Sequence, residues 1–285
     1  MSLLKMSLLK MTTATTLGLS LLTLAGCNTS SSTNANNAAA QSANTASADA
    51  SAPASVLDPK FSACQKQFFD KNQPKITAKL AKDSYPLCLD GFAVMYSGVS
   101  KTPIWVAEYL TRQRLTAAKN LPRTDNFHEE PRLPKDRRSL LNDYTNSGYD
   151  RGHLAPNADM ANPSSQSDSF SLANIAPQAP ENNRKTWVKI ETQTRNLTQK
   201  YGASYVVTGV AYLTPEVKRL KNRVLVPSHF FKAIYIPSQN QAIAFLSPND
   251  NSDTVEKISL STLKKRTGVD AFPNLPANTA PIAIK

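Results

Sequence analysis

One long helical stretch lies between two groups of β-rich runs, and this arrangement restricts the fold more than any other feature of the sequence. The stretch is Glu181–Lys200, followed by Tyr201-Gly202, and a glycine at that point is typical of a helix end. A second, shorter helix is predicted over Ser261–Arg266. Runs of β-branched and aromatic residues predict strands at Leu87–Tyr96, Ile104–Leu110, Ser204–Tyr212, Val224–Ile236 and Gln241–Leu246. The pattern predicts an α+β fold in which helices flank a largely antiparallel central sheet.

The strands and helices are predicted to form one domain. Residues 57–285 are sufficient for one substantial hydrophobic core, and this range contains no internal repeat. Within it, the segment from Leu121 to Asn146 is rich in Pro, Asp and Asn, which predicts an irregular surface loop. Pro227 lies inside one predicted strand and indicates a bend or a sheet edge there.

The N-terminal residues have the composition of an export signal. Lys5 and Lys10 precede an apolar run from Leu17 to Ala25, which is too short to cross a membrane, so residues 1–26 are predicted to be a signal peptide. The run ends in Leu-Ala-Gly-Cys, which resembles the lipobox of bacterial lipoproteins and implies a lipid on Cys27. Residues 27–56 are then a polar tether. By the same resemblance, Asn28 favours the outer membrane of a Gram-negative bacterium. The alternative is an ordinary cleavage site beside a chance cysteine.

The other cysteines and the charge fit an exported protein. Cys64 and Cys88 are an even pair in an oxidising compartment, which predicts a disulfide, although two buried thiols are the alternative. The formal net charge is +12. Such an excess suits a polyanionic partner, either nucleic acid or an anionic membrane surface, but solubility alone could also explain it.

The tetrapeptide Asp150-Arg151-Gly152-His153 places an imidazole close to a permanent cation. Histidine can accept a proton from water near neutral pH, and arginine can bind a phosphate with two hydrogen bonds. A base beside a phosphate-binding group is what cleavage of a phosphodiester requires. Alone the tetrapeptide is weak support, because Asp and Arg often pair on protein surfaces; Asp150 itself is expected to fix the turn or to pair with a basic group.

A stripe of polar residues follows on the long helix. Asn183, Trp187, Glu191 and Arg195 recur at intervals of four, so they share one side of an α-helix. An amide, a carboxylate and a guanidinium on one stripe are unusual for a helix that packs on a core. The alternative interpretation is a solvated polar face.

Several motifs occur together in one order. The Asp150–His153 tetrapeptide is followed by Leu172–Gln178, by the helix bearing Asn183, and by a closing segment at Thr267–Pro273. From about Tyr85 to Pro276 the sequence resembles the DNA/RNA non-specific endonucleases of the ββα-metal superfamily. The resemblance implies a ββα-metal nuclease fold. It also implies hydrolysis of single- and double-stranded DNA and RNA without sequence specificity, leaving 5′-phosphate ends.

The resemblance and the chemistry of the side chains together suggest a role for each residue. A neutral histidine suits a general base, and an amide oxygen suits Mg²⁺, with Mn²⁺ as a substitute. The expected roles are the base for His153, the metal ligand for Asn183, contact with metal-bound water for Glu191, support of the base region or the phosphate for Asn174, and phosphate binding for Arg151, Arg195 and Arg123.

Two other classes of protein remain open at this stage. A catalytically inactive lipoprotein that captures DNA would keep the basic surface, and a structural envelope lipoprotein would keep the tether. His153, Asn183 and Glu191 argue against both, because neither class needs a base and a metal ligand. His128 and His229 match no functional position of the family and are expected to be surface or core residues.

Overall fold

An eight-stranded, almost entirely antiparallel sheet forms the centre of the fold. The computed structural model describes residues 59–283, and the predicted signal peptide, lipidated Cys27 and tether lie outside the described residues. The strands are β1 Lys75–Ile76, β2 Ser84–Leu89, β3 Phe92–Ser97, β4 Thr102–Thr111, β5 Asp150–His153, β6 Ile175–Gln178, β7 Ala203–Ala211, β8 Arg219–Leu220, β9 Val224–Leu225, β10 His229–Ile236, β11 Gln241–Pro248, β12 Glu256–Ile258, β13 Val269–Asp270 and β14 Ala280–Pro281. The order in the main sheet is β12-β11-β10-β7-β4-β3-β2, with β14 parallel to β11 at the side.

Helices lie on both faces of this sheet. The α-helices are α1 Ala78–Ala81, α2 Arg112–Lys119, α3 Leu141–Tyr144, α4 Pro163–Ser169, α5 Val188–Tyr201 and α6 Leu260–Thr267. A π-helix over Asn182–Trp187 leads directly into α5, and five 3₁₀ segments occur at Pro59–Gln67, Phe69–Lys71, Asn157–Asp159, Leu172–Asn174 and Pro237–Gln239. The α+β prediction with a largely antiparallel sheet and flanking helices is confirmed.

Burial along β3 shows that the sheet is covered on both of its faces. All six of its residues are buried. Phe92 and Val94 pack in the cluster that contains Trp187 and Ile190 of the long helix, whereas Met95 packs on the opposite face with the α6 side. Because alternate residues of a strand point to opposite faces, a strand covered on both sides loses the polar alternation. The long helix is therefore held against one face of the sheet.

Three predicted elements differ from the observed ones. The run Leu87–Tyr96 is a hairpin, since Asp90-Gly91 forms a turn in which Gly91 has φ +92°. The run Val224–Ile236 is divided into β9 and β10 around Pro227, as the proline indicated. The segment from Leu121 to Asn146 is largely irregular, but it includes α3 and has buried side chains, so it is not only a surface loop.

A disulfide connects the N-terminal end of the described chain to the edge of the sheet. Cys64 lies in the first 3₁₀ segment and Cys88 in β2, with their Cα atoms 5.6 Å apart. The predicted pairing is thus present. Within residues 59–283, none of the helices has the length and apolar character that a membrane span requires.

Candidate functional site

A small ribbon of two strands carries the Asp-Arg-Gly-His tetrapeptide. Strand β5 pairs antiparallel with β6, with Gly152 opposite Ala176 and His153 opposite Ile175. The π-helix begins four residues after β6 and continues as α5, which gives a β-β-α arrangement. A Cβ atom on Gly152 would lie only 2.6 Å from Cβ of Gln178, so this position accepts no larger residue without a backbone shift. The ribbon and the helix together bring the predicted site residues to one side of the molecule.

His153 lies in an aromatic box. Its ring centroid is 5.4 Å from that of Phe127 and 5.0 Å from that of Phe170, and its buried Nε2 has no hydrogen-bond partner among residues 59–283. Burial, followed by the nearby charge of Arg123, lowers the pKa of His153 to about 3. The imidazole is therefore neutral at physiological pH, which is the form that a general base needs.

Asn174 is completely buried and fixes the backbone that follows His153. Its Oδ1 accepts from the Ala155 backbone N–H at 2.9 Å, while Nδ2 donates to the carbonyls of Ala155 and Ser169 at 2.9 and 2.8 Å. With both ends of the amide occupied and no exposed surface, Asn174 has no free atom for a phosphate. Of its two predicted roles, the geometry favours support of the base region.

Asp150 orients the amide of Asn183. Asn183 Nδ2 donates to Asp150 Oδ2 at 2.9 Å, and Arg184 donates to both carboxylate oxygens at 2.8 and 2.6 Å. Because an ionised carboxylate only accepts hydrogen bonds, the NH₂ group must face Asp150 and Oδ1 must face away. The predicted pairing of Asp150 with a basic group is confirmed.

Three arginines line one cleft of about 700 Å³. The guanidinium of Arg151 lies 4.1 Å from the Phe127 ring centroid, and that of Arg123 lies 5.2 Å from the Phe170 centroid. Arg151 forms no ion pair with any described residue, whereas Arg123 pairs with an exposed neighbour. Together the residues that line the cleft are Arg123, Asp125, Phe127, Leu141, Tyr144, Thr145, Tyr149, Asp150, Arg151, Asn183 and Arg184.

The donor set in this cleft fits a strongly hydrated hard cation. No cluster of three or more His, Cys, Asp or Glu side chains suited to a metal occurs within residues 59–283. The oriented Oδ1 of Asn183 is one neutral oxygen with no hydrogen bond from a described residue, and Asp150 holds it in place. A cation such as Mg²⁺, which keeps several waters, can be bound through a single protein oxygen of this kind.

Glu191 and Arg195 lie further along α5 and do not line the cleft. Arg195 donates to Asp159 at 3.2 Å, and Asp159 closes the 3₁₀ segment that follows the His153 strand. Burial, opposed by Lys232, raises the pKa of Glu191 to about 7. The structure therefore brings Arg123, Arg151 and Asn183 together at the cleft beside His153, and it places Glu191 and Arg195 in an adjoining layer.

The sequence interpretation did not anticipate Arg184. It is 67% exposed in the cleft and follows Asn183 directly. Arg184 and Lys185 are the basic residues of the π-helix over Asn182–Trp187. Asp150 supplies the acid that pairs with Arg184. The helix also starts as a π-helix, a rare form found frequently at functional sites.

Known nucleases are similar to this chain in sequence. The chain is 32% identical over 210 residues to Nuclease C1 of Cunninghamella echinulata var. echinulata, covering 67% of this chain and 83% of that protein. It is 34% identical over 214 residues to the mitochondrial nuclease of Saccharomyces cerevisiae, covering 65% of this chain and 64% of that one.

A solved structure shares the fold. A chain in the crystal structure of the EndoG/EndoGI complex, on the mechanism of EndoG inhibition, superposes with a TM-score of 0.60 at 24% identity, over 68% of this chain and 91% of that chain. The ββα-metal nuclease fold is thereby confirmed. The profile of DNA/RNA non-specific endonucleases matches residues 72–278, a range that contains the ribbon, the helix of Asn183 and the closing segment. Because that match takes in most of the chain and every element of the site, the protein belongs to the DNA/RNA non-specific endonuclease family.

Proposed function

We propose that the protein is a divalent-metal-dependent endonuclease that hydrolyses phosphodiester bonds in single- and double-stranded DNA and RNA, leaving 5′-phosphate ends. The observation that carries the proposal is the cleft where Arg123, Arg151 and the free oxygen of Asn183 converge beside the neutral His153. Arginine contacts to phosphate read the backbone and not the bases, so this design supports cleavage without sequence specificity.

His153 acts as the general base. Its neutral imidazole takes a proton from a water as the water oxygen attacks phosphorus, and the 3′-oxygen departs from the opposite side. Phe127 and Phe170 hold the ring in one plane, and Asn174 anchors the adjoining backbone. A fixed base contributes roughly 10²–10⁴-fold to the rate in enzymes of this kind.

Arg151 and Arg123 bind the phosphate oxygens. Both guanidinium groups lie over aromatic rings, which restricts their rotation before substrate arrives. Arg151 pairs with no carboxylate of the described residues, so it has no ion pair to break when a phosphate binds, and we assign it the stronger contact. Arg184 adds positive potential at the edge of the cleft. Arg195 is proposed to support the phosphate from the adjoining layer, where its guanidinium pairs with Asp159.

Asn183 would hold the divalent cation through Oδ1, with Mg²⁺ as the proposed ion and Mn²⁺ as a substitute. A bound cation supplies positive charge that stabilises the phosphorane-like transition state and the leaving 3′-oxygen. Asp150 keeps the amide oxygen turned toward the cleft. Glu191 is proposed to orient water around the ion.

The test is cleavage of plasmid DNA and of RNA by the purified full-length protein, with Mg²⁺, with Mn²⁺ and with EDTA. We expect metal-dependent cleavage that His153→Ala abolishes and His229→Ala leaves intact. His229 is a matched control because it lies on β10, bonded to Ser228 and outside the cleft. Tight binding without cleavage under any divalent ion would overturn the proposal and favour a DNA-capture protein.

We also propose that the mature protein is a lipoprotein anchored through Cys27 to the outer membrane. The apolar run from Leu17 to Ala25, the cysteine and the polar tether support this proposal. An exported location would separate an unspecific nuclease from the genome of its own cell. Cys27→Ser should release the protein from the membrane fraction, and unchanged fractionation would contradict lipidation.

A further inference from the structure

A group of charged side chains lies buried between the sheet and α5, outside the catalytic cleft. Lys232 on β10 and Glu108 on β4 are each only 1% exposed. Burying an ammonium or a carboxylate costs several kcal/mol unless it is paired. Two charged residues in the central strands of the sheet therefore need a compensating partner, and the proposed catalytic roles above use neither of them.

The sheet register places these residues directly under the long helix. Lys232 is opposite Thr208 on β7, and Thr208 is opposite Val106 on β4, two residues before Glu108. Directly opposed residues share a face of an antiparallel sheet, and so do residues two apart. Val106 packs in the cluster that contains Trp187. Lys232, Thr208 and Glu108 thus face α5.

Lys232 is in contact with this helix layer. Its Nζ donates to Thr208 Oγ1 at 2.5 Å and lies 5.6 Å from the ring centroid of Trp187. Glu191 follows Trp187 by four residues, the spacing at which side chains on a helix are neighbours. The ammonium therefore lies beside the turn of α5 that carries Glu191.

Two ion pairs among the neighbouring charged residues do not include Lys232 or Glu191. Glu108 Oε1 is bound by Arg114 at 3.1 Å, and Asp159 Oδ1 by Arg195 at 3.2 Å. Neither Lys232 nor Glu191 forms an ion pair within 4.0 Å of any described residue. These two are the opposite charges that the other pairs do not neutralise.

The electrostatic balance agrees with that pairing. Burial lowers the pKa of Lys232; among the charges that oppose this, Glu191 acts most strongly, ahead of Glu108 and Asp159, while Arg195 adds to the lowering. In turn, Lys232 is the strongest cation acting on the pKa of Glu191, ahead of Arg195, and Asp159 acts in the raising direction.

We propose that Lys232 is a positioning residue for Glu191: its buried ammonium, held by Thr208 and the Trp187 ring, is the counter-charge that keeps the Glu191 carboxylate in place beside the catalytic cleft. This inference rests on the proposed function, because it assigns Lys232 a role in that reaction through Glu191. Lys232 itself touches neither substrate nor cation.

The test is a double-mutant cycle with Lys232→Met and Glu191→Gln in the full-length protein, measured on a fluorescent DNA oligonucleotide with Mg²⁺. Met has a similar shape without the charge. We expect Lys232→Met to lower kcat roughly tenfold, the size of effect seen for residues that support metal-site groups. KM should stay within about twofold, and in the Glu191→Gln background the same change should alter kcat less than about twofold.

Stability gives the readout that separates positioning from packing. Since Lys232→Met alone leaves the buried Glu191 carboxylate without its counter-charge, it should lower the free energy of unfolding, and in the Glu191→Gln background the same change should lower it less. Glu108→Gln is the matched control: it replaces a buried acid facing the same lysine, keeps an acceptor for Arg114, and should change kcat by less than about twofold. Thr208→Val, which removes only the hydrogen bond, should lower kcat in the same direction if Lys232→Met does not fold.

Wild-type kcat in Lys232→Met, or an equal loss in both Glu191 backgrounds, would overturn the inference and leave the nuclease proposal standing. A wild-type protein that cuts no nucleic acid would overturn both. Equal losses of kcat and of unfolding free energy in Lys232→Met and Glu108→Gln would show that the buried charges serve packing alone.

Discussion

Replacing His153 by phenylalanine should change the pH dependence of stability as well as remove activity. The imidazole lies in an aromatic box, and its buried Nε2 has no hydrogen-bond partner in the described part of the chain, so a phenyl ring of similar width can occupy the position. The pKa of His153 falls from 6.5 in the unfolded chain to about 3 in the folded protein. As the pH falls, the histidine is therefore protonated in the unfolded state before it is protonated in the folded state.

The sign and the size of the effect follow from that difference. Because the folded pKa is the lower one, the contribution of His153 is fully present above pH 6.5 and is lost as the pH falls toward 3. A pH of 5 lies about 1.5 units below the pKa of the unfolded histidine, whereas the folded histidine remains neutral at this pH. At 1.36 kcal/mol per unit, the wild type should lose about 2 kcal/mol between pH 7 and pH 5 through this one side chain.

Urea unfolding of the oxidised protein at pH 7 and pH 5 measures this loss. Other groups titrate in the same interval, and packing differs between the two proteins. Both contributions cancel when the change between the two pH values is compared for wild type and His153→Phe. Between pH 7 and pH 5, the free energy of unfolding of the variant should fall by about 2 kcal/mol less than that of the wild type. Parallel losses in the two proteins would show that the folded imidazole is protonated near its ordinary pKa, and would refute the neutral-base argument.

Three further outcomes are expected. Gly152→Ala should destabilise the fold and reduce cleavage, because its methyl group would meet Oε1 and Cβ of Gln178; adding Gln178→Ala removes the Oε1 contact and should restore part of both, and no recovery would contradict that account. Changing Cys64 and Cys88 to serine should lower the free energy of unfolding by about 3 kcal/mol in denaturant titrations, with kcat unchanged, as neither cysteine lines the cleft. DNA affinity measured by anisotropy should fall steeply as salt is raised, and a flat response would exclude binding through phosphates.

Local sequence was sufficient for the features whose chemistry lies in short segments. The tetrapeptide ending at His153 and the helix bearing Asn183 were predicted from neighbouring residues, and the structure places both at one cleft. The pairing of Cys64 with Cys88 followed from their number and the predicted compartment. The prediction of one strand over Leu87–Tyr96 is wrong for a local reason: Asp90-Gly91 inside this run is a typical hairpin turn.

Contacts between distant segments could not be obtained in that way. The approach of Arg184 to Asp150 joins residues 34 positions apart, and the aromatic box around His153 depends on Phe127 and Phe170 arriving from other segments. A pattern with a period of two or four residues shows which face is buried, but not which charge lies opposite.

The buried lysine shows this division most clearly. By itself the sequence determined the fold class, the site motifs and the order of the elements, because each depends on local propensity and on spacing along the chain. Only the tertiary structure decided that Lys232 lies under the turn of α5 that carries Glu191, since the sheet register sets that contact across about forty residues of sequence. It likewise decided that the imidazole of His153 is neutral, because the solvation of His153 is a property of everything packed around it.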